Sequence, residues 1–308
     1  MSQTADGDGV EGFDFGAHVH AIAGFDAARI PLEKGVMRLL TLAAVLCLAI
    51  PVFSQKTWAQ TALPLNIGGR VAPAAGGAYD FGWPGVYFEG RFTGPSITVA
   101  AEPNAEHLVV SIDGQVRAEL DRASDPRVTF DGLGPGEHVV RLDKLTESQT
   151  GSAAFLGFFV GPDGQALPPP THARRIEFIG DSHTVGYGVR STRGTCTQAE
   201  VHDLTDTSLA FGPALARRLD ADYRIVAFSG RGVVRNYDGV APGEPMPALY
   251  ARLIPGVPSP VVDPADPWRP DLVVIGLGTN DFSMFMEIFE ETHIRTADLA
   301  ALDIDRKS

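Results

Sequence analysis

Three short apolar runs in the second half of the chain constrain its fold more than any other feature. They are "RRIEFIGD" at 174–181, "YRIVAFSG" at 223–230 and "PDLVVIGLGTND" at 270–281, and each ends in glycine and small polar residues. The segment "SLAFGPALARRLDAD" between the first two carries apolar residues at helical spacing. Strand, helix, strand with loops at the carboxyl ends predicts an α/β domain built on a parallel sheet flanked by helices. Functional residues of such sheets gather where the strands end, and Ser182, Gly230 and Asn280 all fall there.

The stretch from Leu65 to about Val160 has a different rhythm. The runs "GVYFEGRF", "SITVAAE", "HLVVSIDG", "RVTFDGL", "EHVVRLDKL" and "AAFLGFFVG" are separated by Gly, Pro, Asp and Asn clusters. Period-two alternation with a turn signal about every ten residues predicts an antiparallel, all-β sandwich of jelly-roll-like type over residues 63–161. Residues 162–175 contain a triple proline that continues neither a ladder nor a helix, so they read as a stiff linker to an α/β domain over 176–308. The 308 residues and 44% hydrophobic content suffice for two buried cores.

The segment 37–62 begins with Met37 and Arg38, continues as an apolar run from Leu39 to Phe53 and ends in small residues around Ala59 and Ala62. This layout predicts a secretory signal peptide rather than a membrane span, and hence a secreted or periplasmic protein with no span after cleavage. Residues 1–36 then read as an unstructured leader from a start codon called too early. A net charge of −13 with no basic run argues against a nucleic-acid partner. Cys47 would leave with the signal, so Cys196 has no disulfide partner, and Cys196 with His202 is too sparse a set for zinc. Neither "GRGVVRN" nor "GYGVRS" completes a dinucleotide fingerprint, and no cofactor is expected.

A serine nucleophile needs a base for its proton and donors for the oxyanion. The G-x-S-x-G elbow is absent around Ser182. The ordered set "GDS", "SGRG" and "GTND" instead resembles the SGNH (GDSL-type) hydrolases, whose site combines a serine, a glycine amide, an asparagine and a late histidine. The resemblance implies Ser182 as nucleophile, with its own N–H, the Gly230 N–H and the Asn280 amide as oxyanion donors. Asp181 can cap the turn that follows it. Taken singly, these residues read equally as turn glycines, a local hydrogen bond and a helix cap.

The fuller stretches "GDSHTVGYGV", "DTSLAFGPALARRLDADYRIVAFSGRGVVRNYDG" and "PDLVVIGLGTNDFS" resemble the family-two carbohydrate esterases, the acetylxylan esterase-like branch in which a small β-sandwich precedes the esterase domain. "GGRVAPAAGGAYDFGWPGVYFEGRFTG" resembles the opening strands of that sandwich, so the likeness covers roughly residues 65–283. It implies removal of O-acetyl groups from xylan-type or related polysaccharides through an acyl-enzyme at Ser182, with an acetylated polysaccharide or oligosaccharide as partner. Tyr187 and Trp268, and with them Trp83, are candidates for stacking on a sugar ring, against ordinary packing.

The resemblance also implies an acid-x-x-His motif beyond "GTND", and only 27 residues follow Asp281. His293 is the one histidine among them, and Glu290 precedes it by three positions. Apolar Phe285, Ile288 and Phe289 give that tail helical spacing, on which Glu290 and His293 are neighbours without need of a catalytic role. The tail is too short for a further strand and crossover, so the expectation is a hydrolase domain truncated or frameshifted before its base, with an apolar sheet edge left bare. A second function class is therefore kept: a non-catalytic glycan-binding relative that has lost the catalytic histidine.

Overall fold

The computed structural model describes residues 61–149 and 151–283. Its first module contains β1 (Thr61–Ala62), β2 (Asn66–Gly68), β3 (Ala72–Pro73), β4 (Tyr79–Phe81), β5 (Tyr87–Thr93), β6 (Ile97–Glu102), β7 (Leu108–Ile112), β8 (Gln115–Leu120), β9 (Arg127–Phe130), β10 (Glu137–Lys144), β11 (Ala153–Val160) and β12 (Gln165–Leu167). All pairings among them are antiparallel, in one sheet of order β3-β4-β11-β6-β9 and another of order β12-β5-β10-β7-β8. β1 adds to the β11 edge and β2 to the β5 edge.

The period-two reading explains the core. On β7, Leu108, Val110 and Ile112 are buried while Val109 and Ser111 are only partly so. Phe88 of β5 stacks on Phe155 of β11 with ring centroids 4.0 Å apart, and Phe81 and Phe158 close on this pair edge-on. Each such side chain contributes about 1.5–3 kcal/mol through burial, which is why two sheets hold together here.

Two boundaries differ from the sequence reading. Thr61 and Ala62, assigned to the end of the signal segment, pair with Val160 and Phe159 as β1. Within the expected linker, Gln165–Leu167 form β12 against Thr93–Arg91, and the α/β module's first strand already begins at Arg174. In both places backbone groups find partners on an available strand edge, and of the expected linker, residues 162–164 and 168–173, the latter with the triple proline, stay outside the ladders. Residues 1–60 and 284–308, with the signal peptide's apolar run, the expected tail helix and His293, lie outside the described residues.

The second module holds β13 (Arg174–Gly180), α1 (Ser182–Val185), α2 (Gln198–Asp203), α3 (Phe211–Leu219), β14 (Ala221–Ala227), α4 (Met246–Leu249) and β15 (Leu272–Gly276). Its sheet is parallel, with β13 central in the order β14-β13-β15. Gly212 and Ala216 give α3 a small-residue face that sits closely on Phe178 and Ile225. Gly180 is in register with Ala227 on one side and Gly276 on the other, so all three strands end at one level. Of the two edge strands among the described residues, β14 is mostly buried, whereas β15 has Leu272, Val273 and Ile275 exposed, Ile275 by 67%.

The modules share a continuous apolar core in which Val226, Phe228, Met246 and Leu249 pack with the sandwich interior. Buried polar links lock the seam. Arg70 donates to Glu177 at 3.0 Å, and Glu177 also accepts from the Tyr250 hydroxyl at 2.7 Å. Arg141 lies 3.6 Å over the Tyr87 ring while pairing with Glu89 at 2.7 Å and donating to the Tyr223 hydroxyl. His172 bridges Glu89 of the sandwich and Asp220 after α3.

One surface pair makes a pH prediction. His138 places Nδ1 2.7 Å from Asp113 Oδ2 and Nε2 2.8 Å from the Gly134 carbonyl. A neutral ring donates only once, so the imidazolium alone satisfies both contacts, and Asp113 followed by Gly134 holds the group above the ordinary imidazole range. Because the folded value is raised, the stabilisation is present below the unfolded value near ~6.5 and is lost as pH rises through the folded one. NMR titration is expected to place His138 above ~6.5, and His138→Ala to destabilise more near pH ~5 than near pH ~8. An equal loss at both would refute this.

Candidate active site

The three strand-end loops meet in one open cleft of about 860 Å³, lined by Ser182, Tyr187, Gly230, Arg231, Asn280 and neighbours. Each motif supplies a different element. Asp181 caps α1, its Oδ1 accepting the His183 N–H at 3.1 Å, so the expected cap is present. Ser182 is then the first residue of a helical turn, where the N–H has no intrahelical acceptor. Gly180 owes its place to packing: an added Cβ would lie 1.9 Å from Thr184 Oγ1.

The second motif is held by the third. Gly230 has φ of +78°, a left-handed conformation in which an added Cβ would meet only Tyr237 Cβ at 3.8 Å, an ordinary contact, so backbone strain is what requires glycine. At Gly232 the reason is space, since a Cβ would meet the Arg235 carbonyl at 1.9 Å and Asp281 Oδ2 at 2.5 Å. The Asp281 carboxylate accepts from the N–H groups of Val233, Val234 and Arg235 at 2.9, 2.7 and 3.0 Å. Burial works against its charge, but these donors outweigh burial and hold it below the usual carboxylate range. Asn280 is buried, and its Nδ2 donates to the Arg231 carbonyl at 2.9 Å, leaving the second amide hydrogen as a donor for a ligand. Asn236 finishes the loop: its Oδ1 accepts from Gly232 N–H, and its Nδ2 donates to Val240, Ala241 and Glu244 carbonyls.

Of the residues expected in the site, Ser182, Gly230, Asn280 and Tyr187 line one cleft. The Tyr187 hydroxyl donates to Gln198 at 2.8 Å, and burial together with nearby Glu147 pushes its pKa up. Trp268 is a correction. Its Nε1 donates to Asp222 Oδ2 at 2.9 Å and its ring carries Arg224 at 4.2 Å. Asp222 and Arg224 belong to the beginning of β14, whereas Ser182 follows the end of β13, so Trp268 is at the opposite end of the parallel sheet and serves the module seam. Trp83 is fully buried with Nε1 on the Arg252 carbonyl.

No histidine lines the cleft among the described residues. His183 is exposed on α1, and His107, His138, His172 and His202 hydrogen-bond elsewhere. His202 is less isolated than its sequence position suggests. With His107 and Asp203 it forms a group whose candidate ligand atoms lie within 4.8 Å of one another, although His202 also bonds the Ala105 carbonyl and His107 bonds Asp203. Sequence reading missed Asp281 as a loop anchor, Asn236, and the cleft residues Gln149 and Gln198. Only Asp281 carried a signal, its place beside Asn280.

Comparison with known proteins agrees with this arrangement. Residues 67–170 match the family described as carbohydrate esterase 2 N-terminal, and residues 176–303 match GDSL-like lipase/acylhydrolase. An acetylxylan esterase/glucomannan deacetylase of Cellvibrio japonicus is 41% identical over 239 residues, covering 76% of this chain and 66% of the relative. A solved carbohydrate esterase, described as having an active site with divergent catalytic and non-catalytic binding functions, is 40% identical with a TM-score of 0.66, over 72% of this chain and 66% of that one. A family-two carbohydrate esterase from Clostridium thermocellum in complex with cellohexaose is 29% identical with a TM-score of 0.62, over 75% and 74%. The chain thus spans just under two thirds of the curated relative's length.

Proposed function

The chain belongs to the SGNH-type carbohydrate esterases of family two, and from that premise we propose that it removes O-acetyl groups from polysaccharides through an acyl-enzyme at Ser182. The observation that carries this reading is the convergence of Ser182, Gly230 and Asn280 on one cleft from three strands that end in register.

In the reaction, Ser182 Oγ attacks the acetyl carbonyl and loses its proton to a base. Negative charge then grows on the carbonyl oxygen, where the N–H groups of Ser182 and Gly230 and the Asn280 amide act as donors. Collapse of this intermediate breaks the bond to the sugar oxygen, which takes the proton back from the base and departs as a hydroxyl, leaving acetyl on Ser182. Water attacks the acetyl-serine through the same oxyanion and releases acetate. None of the described histidines is assigned as the base, and His293 remains the candidate after the third motif.

Xylan-type polymers and glucomannan are the substrate classes this reading favours, from the name of the Cellvibrio japonicus relative. Tyr187 at the cleft wall is the aromatic surface for a sugar ring. Export, read from residues 37–62, suits a polymer that does not enter cells, and the first module's two sheets are read as a jelly-roll-like sandwich. Relatives named for deacetylation favour this reading over a glycan-binding protein without catalysis.

The test is acetate release from acetylated xylan and acetylated glucomannan by the wild type and Asn280→Ala. Loss of one oxyanion donor is expected to lower kcat about 10²–10³-fold with little change in KM. An undiminished kcat in a folded Asn280→Ala variant would remove Asn280 from the site.

A further inference from the structure

We propose that Glu147, a residue of the first module, is a positioning residue for the Ser229–Gly230 turn, so that the sandwich completes the active site of the α/β module. The proposal rests on the reading of Gly230 as an oxyanion donor. Glu147 lies just after β10, is 3% exposed, and its Oε1 accepts the Ser229 N–H at 2.6 Å across 82 residues of sequence. It borders a smaller cavity, with Gln149, Tyr187 and Gln198 in its wall, and these three also line the Ser182 cleft.

The ledge that carries Glu147 is fixed on both sides. Residues 144–148 are all buried. Lys144 Nζ pairs with Glu106 Oε2 at 2.7 Å inside the sandwich, and Thr146 Oγ1 donates to the same oxygen at 2.7 Å. Toward the α/β module, the Leu145 carbonyl accepts from both the N–H and the hydroxyl of Thr207. A side chain on such a ledge holds its place, and its oxygen is a stationary acceptor.

What it holds is the orientation of one peptide unit. The Gly230 N–H belongs to the peptide linking Ser229 and Gly230, and the backbone angles of Ser229 and Gly230 aim it. Ser229 is tethered at its N–H by Glu147, and Gly230 at its carbonyl by the Tyr237 N–H at 2.8 Å. With φ of +78°, Gly230 has conformational freedom that these two tethers remove. A donor fixed before the reaction costs nothing to reorganise as charge appears, and small misplacements are costly. Burial also pushes the Glu147 carboxyl above its ordinary range. A neutral carboxyl still presents a carbonyl oxygen to Ser229, so glutamine is a close substitute.

The experiment compares Glu147→Ala, Glu147→Gln and Glu147→Asp in the full chain, reading thermal stability, kcat and KM for p-nitrophenyl acetate, and hydrogen exchange of the Ser229 amide by NMR. Glu147→Ala is expected to speed that exchange by more than about tenfold and to lower kcat about 10²-fold, with KM within about twofold. Glu147→Gln is expected to restore both to within about threefold, because it keeps the acceptor. Glu147→Asp, which withdraws the acceptor by one methylene, should resemble the alanine variant and replaces it if alanine does not fold. Unchanged exchange in a folded alanine or aspartate variant overturns the proposal, as does an equal loss in the glutamine variant. If the wild type cleaves no acetyl ester, the esterase reading fails, while the exchange measurement still decides whether Glu147 holds the turn.

Discussion

Ser182→Ala is expected to reduce cleavage of p-nitrophenyl acetate by at least about 10³-fold while leaving the folded state intact. Ser182 opens α1 at the end of β13, on the same cleft wall as both other donor motifs; the other serines of that wall are Ser283, held through its hydroxyl, and Ser229, held through its backbone N–H. Ser283 donates its hydroxyl to the Asn280 carbonyl at 3.0 Å. Ser229 lies beside Glu147 on the turn that holds Gly230. Without Oγ there is no acyl-enzyme, and what remains is binding plus an oxyanion hole acting on water. The side chain is half-buried and small, so thermal stability should move little. Labelling by a fluorophosphonate probe should vanish with the activity, because that chemistry also needs an activated serine. A variant that keeps more than about a tenth of the wild-type rate would remove Ser182 from the mechanism.

Glu106→Ala should produce the largest loss of stability. Lys144 is completely buried, and its ammonium sits 2.7 Å from Glu106 Oε2, with the Thr146 carbonyl as a further acceptor. Removing the carboxylate strands that charge and also takes away the acceptor of the Thr146 hydroxyl, which keeps only the His107 N–H as a donor to it, a change worth about 3–5 kcal/mol. For a folded unit of this size that corresponds to a fall in Tm on the order of 10 °C. Replacing both partners by apolar residues, as Glu106→Leu with Lys144→Met, removes the charges together and should cost clearly less than Glu106→Ala alone. If the double variant is as unstable as the single one, packing of these side chains rather than the stranded charge carries the effect. Because the same ledge supports Glu147, Glu106→Ala should also lower kcat before it unfolds the protein.

Much of this architecture was legible in the chain. Alternation such as "HLVVSIDG" follows from side chains pointing to opposite faces, and it marked strands whose buried positions are Leu108, Val110 and Ile112. The glycine-ended runs marked β13, β14 and β15, and the order of "GDS", "SGRG" and "GTND" brought Ser182, Gly230 and Asn280 forward together. Aromatic residues misled where only chemistry was considered. Trp268 has a face for stacking on sugar, but its indole N–H found Asp222 and its ring found Arg224 at the far end of the sheet. The boundaries at Thr61–Ala62 and Gln165–Leu167 were missed because two- and three-residue strands exist only through the neighbour whose edge they pair with.

The sequence by itself determined the two module types and the residues at the strand ends, since both follow from periodicity and turn chemistry among near neighbours. Only the tertiary structure decided which polar groups meet. Asp281 reaches the amides of Val233, Val234 and Arg235, Glu147 reaches Ser229, and Arg70 reaches Glu177, across separations of 46 to 107 residues. Those pairings are set by strand register and by the packing of one module on the other, and no local pattern encodes either.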